Sequence, residues 1–297
     1  MSMLAANLAC LGLLAVDVVA RTWRIQWLLI GTRCHISFLD TLVMNAVGDT
    51  AAAATPNRIG GEPARLGGMM LSKVPASAGV VAMGVEAIAM WPVNILTGAG
   101  LAFAFAPEWW RGSGPALERT LRHAWPWVVV MLAAGGAAWW AIRRYAPAMS
   151  HTMRRGTKRA WVYARRMPTW PVVMAAVTTF VSIAARVAVL PVLALTLPHP
   201  PPLGAVTFAS FTLIFAQIVL PVPSGAGVVE LGFLGGAVGD LGAEQKALLF
   251  LWRFYSTILP VLMGIALGLW RSGPNAVEAI MAGRAPTVEA APAAMEQ

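Results

Sequence analysis

The chain has 297 residues, of which 58% are hydrophobic and 12% charged, with a formal net charge of +9 and a mean hydropathy of +0.67. A soluble domain carries roughly 25% charged residues, so this composition excludes an ordinary water-soluble enzyme. Apolar stretches recur from end to end and leave no room for a separate globular domain, which predicts an all-α, polytopic transmembrane helical bundle.

Met3 to Ala20 is the first predicted membrane helix; no basic stretch precedes it and it contains Asp17, so it reads as a retained helix and not as a cleaved signal. Arg21-Thr22-Trp23-Arg24-Ile25-Gln26-Trp27 alternates basic and aromatic residues as an interfacial segment does. Ser37 to Thr55 is weakly apolar, carries Asp40, Asn45 and Asp49, and ends at a Pro/Gly break; a full span and a re-entrant half-helix fit it equally. Pro63 to Lys73 returns from that break. Ala76 to Ala106, interrupted by Glu86 and Pro92, exceeds one span and implies a tilted or kinked helix. Pro107 to His123 reads as a loop anchored by Trp109-Trp110, and Trp125 to Ile142 as the next span.

The connection 143–169 holds Arg143, Arg144, Arg154, Arg155, Lys158, Arg159, Arg165 and Arg166 and no Asp or Glu. A short arginine-rich loop is retained in the cytoplasm and attracts anionic headgroups. Nucleic acid is not implied, because no recognition fold accompanies the charge. Trp170 to Leu197 is a span with Arg186 near its middle, ended by the rigid turn His199-Pro200-Pro201-Pro202. Leu203 to Leu220 runs up to a second break, Leu231 to Val238 continues beyond it, and Lys246 to Trp270 is the last span. The transmembrane unit is thus 1–270, with roughly six to eight segments by length. Its halves cover about 1–125 and 160–270 and are joined by the basic loop, and 271–297 reads as a disordered tail. With the basic loop in the cytoplasm, the turn at His199 faces outward, the first break is approached from the cytoplasmic side and Leu203 to Leu220 runs inward. Whether the repeats are inverted or parallel stays open at this point.

The two breaks resemble one another. The first is Pro56-Asn57-Arg58-Ile59-Gly60-Gly61-Glu62 and the second Pro221-Val222-Pro223-Ser224-Gly225-Ala226-Gly227-Val228-Val229-Glu230. Pro56 and Pro221 are 165 residues apart, as are Gly60 and Gly225, while Glu62 and Glu230 are 168 apart. Arg21 and Arg186 also stand 165 apart, which extends the internal repeat. Proline and glycine interrupt helices and leave backbone groups unpaired, and a carboxylate is expensive in hydrocarbon. The pair therefore predicts two broken or re-entrant helices meeting at a polar translocation site. Its candidate residues are Arg58, Gly60, Gly61, Glu62 and Arg65 from the first copy, and Pro223, Gly225, Gly227 and Glu230 from the second, with Glu86 and Arg253 from apolar spans. Helix ends offer partial charge, and arginine either clamps a phosphate or pairs with a glutamate. An unpaired Arg186 or Arg253 in hydrocarbon costs at least about 2.5 to 3.5 kcal/mol, so each is expected to pair, with Glu62, Glu86 and Glu230 as candidates.

Other chemistries find little support. Cys10 and Cys34 alone build neither a disulfide framework nor a cysteine-rich metal site. His35, His123, His151 and His199 show no metal-ligand spacing, and Ser224 has no strand-turn-helix context for a nucleophile. Neither glycine-rich copy ends in the Lys-Ser/Thr of a nucleotide loop. No catalytic residue, metal or cofactor is expected.

Thr55-Pro56-Asn57-Arg58-Ile59-Gly60-Gly61-Glu62-Pro63-Ala64-Arg65 is similar to the Pro-x-Arg-x-Gly-Glu-x-x-Arg segment of the lysylphosphatidylglycerol synthase/flippase membrane-domain family. Leu220 to Glu230 resembles that family's Pro-x-Pro-Gly-Gly-x-Gly-x-x-Glu segment, and Trp252-Arg253-Phe254 its following Arg-aromatic pair. The resemblance runs from about Arg21 to Trp270, with an extra glycine at Gly60-Gly61, Ser224 in place of glycine, and a short N-terminus. It implies a multi-pass protein of the bacterial inner membrane that translocates a phospholipid or related amphiphile between leaflets, as a flippase. Its partners would be membrane lipids, anionic or aminoacylated phospholipids among them, with a homo-oligomer left open. With no aminoacyl-transferase domain after Trp270, no lysine transfer and no enzymatic activity are expected. The alternatives are a membrane-embedded lipid or polyprenyl-sugar transferase and a non-catalytic subunit of a membrane complex.

Overall fold

The structure is a computed structural model that describes residues 1–105, 133, 137, 140, 158–219, 227–233 and 244–281. Ser2 caps α1 (Met3–Gly31), its hydroxyl accepting the Ala5 N–H at 3.3 Å. At 1.5 Å per residue, these 29 residues outrun the span expected to end at Ala20. The Arg21 to Trp27 segment is therefore part of that helix, and Arg21 and Arg24 find carboxylates inside the bundle. Ser37 caps α2 (Phe38–Ala54) through the Asp40 N–H at 3.0 Å. Thr55 is extended, as a residue before proline prefers, and Pro56–Arg58 forms one 3-10 turn before α3 (Gly61–Leu71).

The short α3 folds back along α2 because glycines let the two backbones close. A Cβ at Gly61 would press on Ala52 and the Gly48 carbonyl, one at Gly68 on Met44, and one at Gly48 on the stem of Arg65. Next come α4 (Ala76–Phe105, with Pro92 inside it), α5 (Thr169–Ala194) and α6 (Leu203–Val219). After the second break the chain resumes as α7 (Val228–Gly232) and α8 (Gln245–Arg253), then a π turn (Phe254–Ile258) and α9 (Leu259–Met281). Helix through Met281 corrects the expectation that disorder begins at 271. Arg271 pairs with Asp40 at 2.7 Å, and Ala276 to Met281 are mostly good helix formers. The segments 106–132 and 220–226, and the end of the tail from 282, lie outside the described residues, as does most of the predicted Trp125 to Ile142 span.

Among the described residues no strand occurs, and four segments are long and apolar enough to cross a bilayer: α1, α4, α5 and Lys246–Arg271. Their outer faces are apolar: Leu4, Ile88 and Leu96 are each more than 70% exposed. Such faces belong against acyl chains and not water.

α1 and α5 pack antiparallel. The N-terminus donates to the Leu195 carbonyl, Cys10 lies 3.9 Å from the Val189 carbonyl, Ser182 meets Asp17, Arg24 meets Thr179, and Gly31 abuts Pro171. Asp17 and Ser182 are themselves 165 residues apart, so equivalent positions of the repeat touch where the helices cross. Two equivalent helices that cross antiparallel are related by a pseudo-two-fold axis perpendicular to them, which makes the repeat inverted. The outer contacts obey the same relation. α9 lies antiparallel to α2, with Gly264 against the Ala46 carbonyl, and α4 lies antiparallel to α6, with Gly98 against the Phe211 ring. Ala46 and Phe211 are again 165 apart. Two buried clusters flank the crossing, Ile25, Leu28 and Leu29 in one and Leu190, Leu193 and Ala194 in the other, matched pairwise by that offset.

Candidate functional site

The antiparallel crossing brings charge into the bundle from both halves. Arg21 reaches Asp17 one turn earlier at 3.1 Å and Asp49 of α2 at 2.5 Å. The carboxylate of Asp17 also accepts the Ser182 hydroxyl and lies 3.6 Å from the Arg186 Nε. Arg24 pairs with Glu86 at 2.7 Å and donates to the Thr179 hydroxyl at 3.1 Å. The other Glu86 oxygen takes Arg65 at 2.6 Å, and Arg65 reaches Glu62 at 3.1 Å. Glu86, on the apolar α4, is buried and would be prohibitive there alone; two guanidinium groups sharing it make the burial tolerable.

These groups wall a cavity of about 170 Å³ lined by Arg21, Arg24, Asn45, Asp49, Glu62, Arg65, Glu86 and Arg186, with Met83, Ala87 and Met90 completing it. Four buried donors on its lining residues, the Nε of Arg21, Arg24 and Arg65 and the amide nitrogen of Asn45, have no acceptor among the described residues. The unpaired side is thus all N–H, which suits a ligand rich in oxygen acceptors. A much smaller cavity of about 20 Å³ lies toward the N-terminal half of α1, with Leu13, Asp17, Arg186, Gln217, Tyr255 and Ser256 among its walls.

Arg58 stands beside this site in an unusual conformation. Its φ is +58°, a region costly for a residue with a Cβ, and it feels both Asp49 and Arg186 electrostatically. Among the described residues no carboxylate lies within ion-pair distance of it. Gly60 and Gly61 act by closeness and not by φ: the Gly60 N–H donates to the Thr55 hydroxyl at 2.8 Å, and a Cβ there would strike Thr55 and the Ala51 carbonyl.

The second break is built differently. Gly227 has φ +83°, a region open to glycine, and its N–H donates to Glu230 at 2.6 Å. The other Glu230 oxygen takes Arg253 through Nε at 2.7 Å and Nη2 at 2.6 Å. Trp252 carries the guanidinium over its ring at 5.7 Å and stacks on Phe233. Glu230 and Arg253 are not among the residues lining either cavity. Pro223 and Gly225 lie outside the described residues, as does Ser224.

Sequence reasoning thus reached Arg58, Glu62, Arg65 and Glu86 on or beside the large cavity, and of the three glutamates it offered as partners for Arg253 the structure selects Glu230. It missed Asp17, Arg24, Asn45 and Asp49 as site residues, and it sought the partner of Arg186 among the glutamates. The partner is Asp17, because the antiparallel crossing sets α1, and not a break, beside Arg186. The available signal was Asp17, Arg21 and Arg24 at helical spacing on one face.

A family profile described as "Lysylphosphatidylglycerol synthase TM region" matches residues 2–264. No curated protein and no solved structure matches the chain.

Proposed function

The chain belongs to the lysylphosphatidylglycerol synthase transmembrane-region family, a multi-pass membrane family tied to membrane lipid, and from that premise we propose that it carries a phosphate-bearing lipid between leaflets without chemically altering it. The supporting observation is the large cavity, whose orphaned donors on Arg21, Arg24, Asn45 and Arg65 match the non-bridging oxygens of a phosphodiester. A headgroup crossing hydrocarbon loses its hydration. Arginine forks already desolvated and held by Asp49 and Glu86 replace that hydration with little further ordering. Glu62, 60% exposed at its side chain, is the acid free to meet a cationic headgroup portion.

Orientation follows from Lys158, Arg159, Arg165 and Arg166, all exposed on the helical stretch 158–166 that leads into α5. If this loop is cytoplasmic, as the positive-inside rule requires, the Gly31 end of α1 faces the cytoplasm of a bacterial inner membrane, and the large cavity opens on that half of the bilayer.

Vesicles containing a fluorescent phosphatidylglycerol, with dithionite quenching of the outer leaflet, test the proposal. The reconstituted protein is expected to move the lipid several-fold faster than protein-free vesicles do. Asn45→Leu, which removes one uncharged donor, is expected to slow it by about tenfold, the worth of one hydrogen bond to a charged group. Rates equal to those of protein-free vesicles would sink the proposal.

A further inference from the structure

At the Gly31 end of the bundle, α1 and α3 stop in the same way. The Cys34 N–H donates to the Leu29 carbonyl at 2.9 Å and the Arg33 N–H to Ile30 at 2.8 Å, while the Val74 N–H donates to Met69 and the Lys73 N–H to Met70, each at 3.0 Å. These are two Schellman closures, and each sets one residue at φ +62°. Glycine fills that position without steric cost, yet it is Arg33 in one closure and Lys73 in the other. The helix dipole returns part of the cost of a cation there. Both residues are exposed.

A third source of charge packs against the same place. On the helical stretch 158–166, Lys158, Arg159, Val162, Arg165 and Arg166 are all exposed and fall within an arc of about 120° at 3.6 residues per turn. Tyr163 and Met167 pack instead against the apolar cluster of Leu28, Leu29, Met69 and Val74, which Cys34 also joins. Three segments thus bring six cations to one apolar plug, and none of the six has an ion-pair partner among the described residues. Across 28–40, 69–78 and 158–172 the sole acid is Asp40, and Arg271 holds it. The opposite end differs: 1–16, 94–105 and 190–206 contain no Lys or Arg. Trp161 and Trp170 are exposed beside the cations. Exposed tryptophan among basic residues suits a membrane interface, whereas a soluble acidic partner would leave those rings in water.

We propose that Arg33, Lys73, Lys158, Arg159, Arg165 and Arg166 form a docking surface for the anionic headgroups of the surrounding leaflet, holding a shell of anionic phospholipid at this end of the bundle. Cations at the interface draw such lipid cumulatively. The surface extends the attraction of the basic loop to two helix ends remote from it in sequence. It lies outside the cavities and does not depend on the lipid-carrying reading.

The lipid composition beside this surface tests it. In a chain with Cys10→Ala and Cys34→Ala, Val162→Cys carries a bimane label at the centre of the basic arc, in nanodiscs of equal phosphatidylglycerol and phosphatidylcholine. Quenching by doxyl-labelled phosphatidylglycerol, relative to doxyl-labelled phosphatidylcholine, is expected to be about fivefold greater at low ionic strength, the pull of one cation on one headgroup. In about 1 M salt the ratio is expected to fall toward one. Arg33→Gly with Lys73→Gly is expected to lower it by about twofold with Tm unchanged or higher, because glycine relieves both left-handed residues. Lys158→Gln, Arg159→Gln, Arg165→Gln and Arg166→Gln added to that pair are expected to bring it close to one. A ratio near one in the parent chain, or one that neither set of substitutions moves, overturns the docking surface. Stronger quenching by a soluble spin-labelled polyglutamate than by either lipid would assign the surface to an acidic protein and overturn it as well.

Discussion

The two halves of the repeat place a charged pair between the helix that follows each break and the span that comes next, with the charges exchanged. In the first half Arg65 of α3 meets Glu86 of α4; in the second, Glu230 of α7 meets Arg253 at the end of α8. The first pair belongs to a cluster in which Glu86 also takes Arg24 and Arg65 also reaches Glu62, next to the separate pairs of Arg21 with Asp17 and Asp49, whereas the second is a pin holding Gly227, Glu230 and Arg253 beside aromatic rings. At matched positions the first half has Arg24, Asn45 and Asp49 where the second has Val189, Ser210 and Ile214. The scaffold is repeated through small residues and leucines, and most of the charged residues around the large cavity come from the first half, with Arg186 from the second.

The sharpest way to break the comparison is to neutralise the acid of each pair. Glu86→Gln leaves Arg24 buried without a counter-charge and Arg65 with only the exposed Glu62, and is expected to cost about 3 to 5 kcal/mol, read as a large drop in folded yield and Tm in detergent. Glu230→Gln, at a site 34% exposed, is expected to cost about 1 to 2 kcal/mol, the worth of its charged hydrogen bonds. Equal losses would show that the network has no more weight than the pin.

The glycine contacts sharpen the comparison at the outer helices. Gly264→Ala would push a methyl into the Ala46 backbone carbonyl, which cannot turn aside, while Gly98→Ala meets the movable ring of Phe211. Overpacking of this kind costs about 1 to 3 kcal/mol, so Gly264→Ala belongs at the upper end and Gly98→Ala near the lower, checked by thermal unfolding of both. The reverse order would contradict the close α2 to α9 approach.

Much of this architecture was legible in the chain. The break at Pro56 and the offset of 165 named the repeat, and the high cost of a lone arginine correctly demanded partners for Arg186 and Arg253. The polar network was not legible, because its carboxylates come from different helices: Asp17, Asp49 and Glu86 are far apart in sequence, and Arg21 and Arg24 among tryptophans have the composition of an interface. The sense of the repeat was hidden for the same reason. Spacing shows that two segments are equivalent, whereas the run of contacts from Cys10 with Val189 through Asp17 with Ser182 to Arg24 with Thr179 shows that they run in opposite directions.

The smallest effects separate strain from geometry at the two breaks. Arg58 and Gly227 both sit at positive φ, one with a Cβ and one without. Gly227→Ala is expected to lose about 1 kcal/mol, since its conformation also aims the N–H at Glu230. Arg58→Gly should do the opposite: relief of a left-handed residue slightly outweighs the chain entropy that glycine adds, for a gain of up to about 1 kcal/mol. The same change deletes a cation near Asp49 and Arg186, so lipid movement in the dithionite assay should slow even as Tm rises. A stabilised, slower variant would mean that the strain at Arg58 is retained to keep its charge beside the cavity. A destabilised one would mean that the guanidinium supports the break itself.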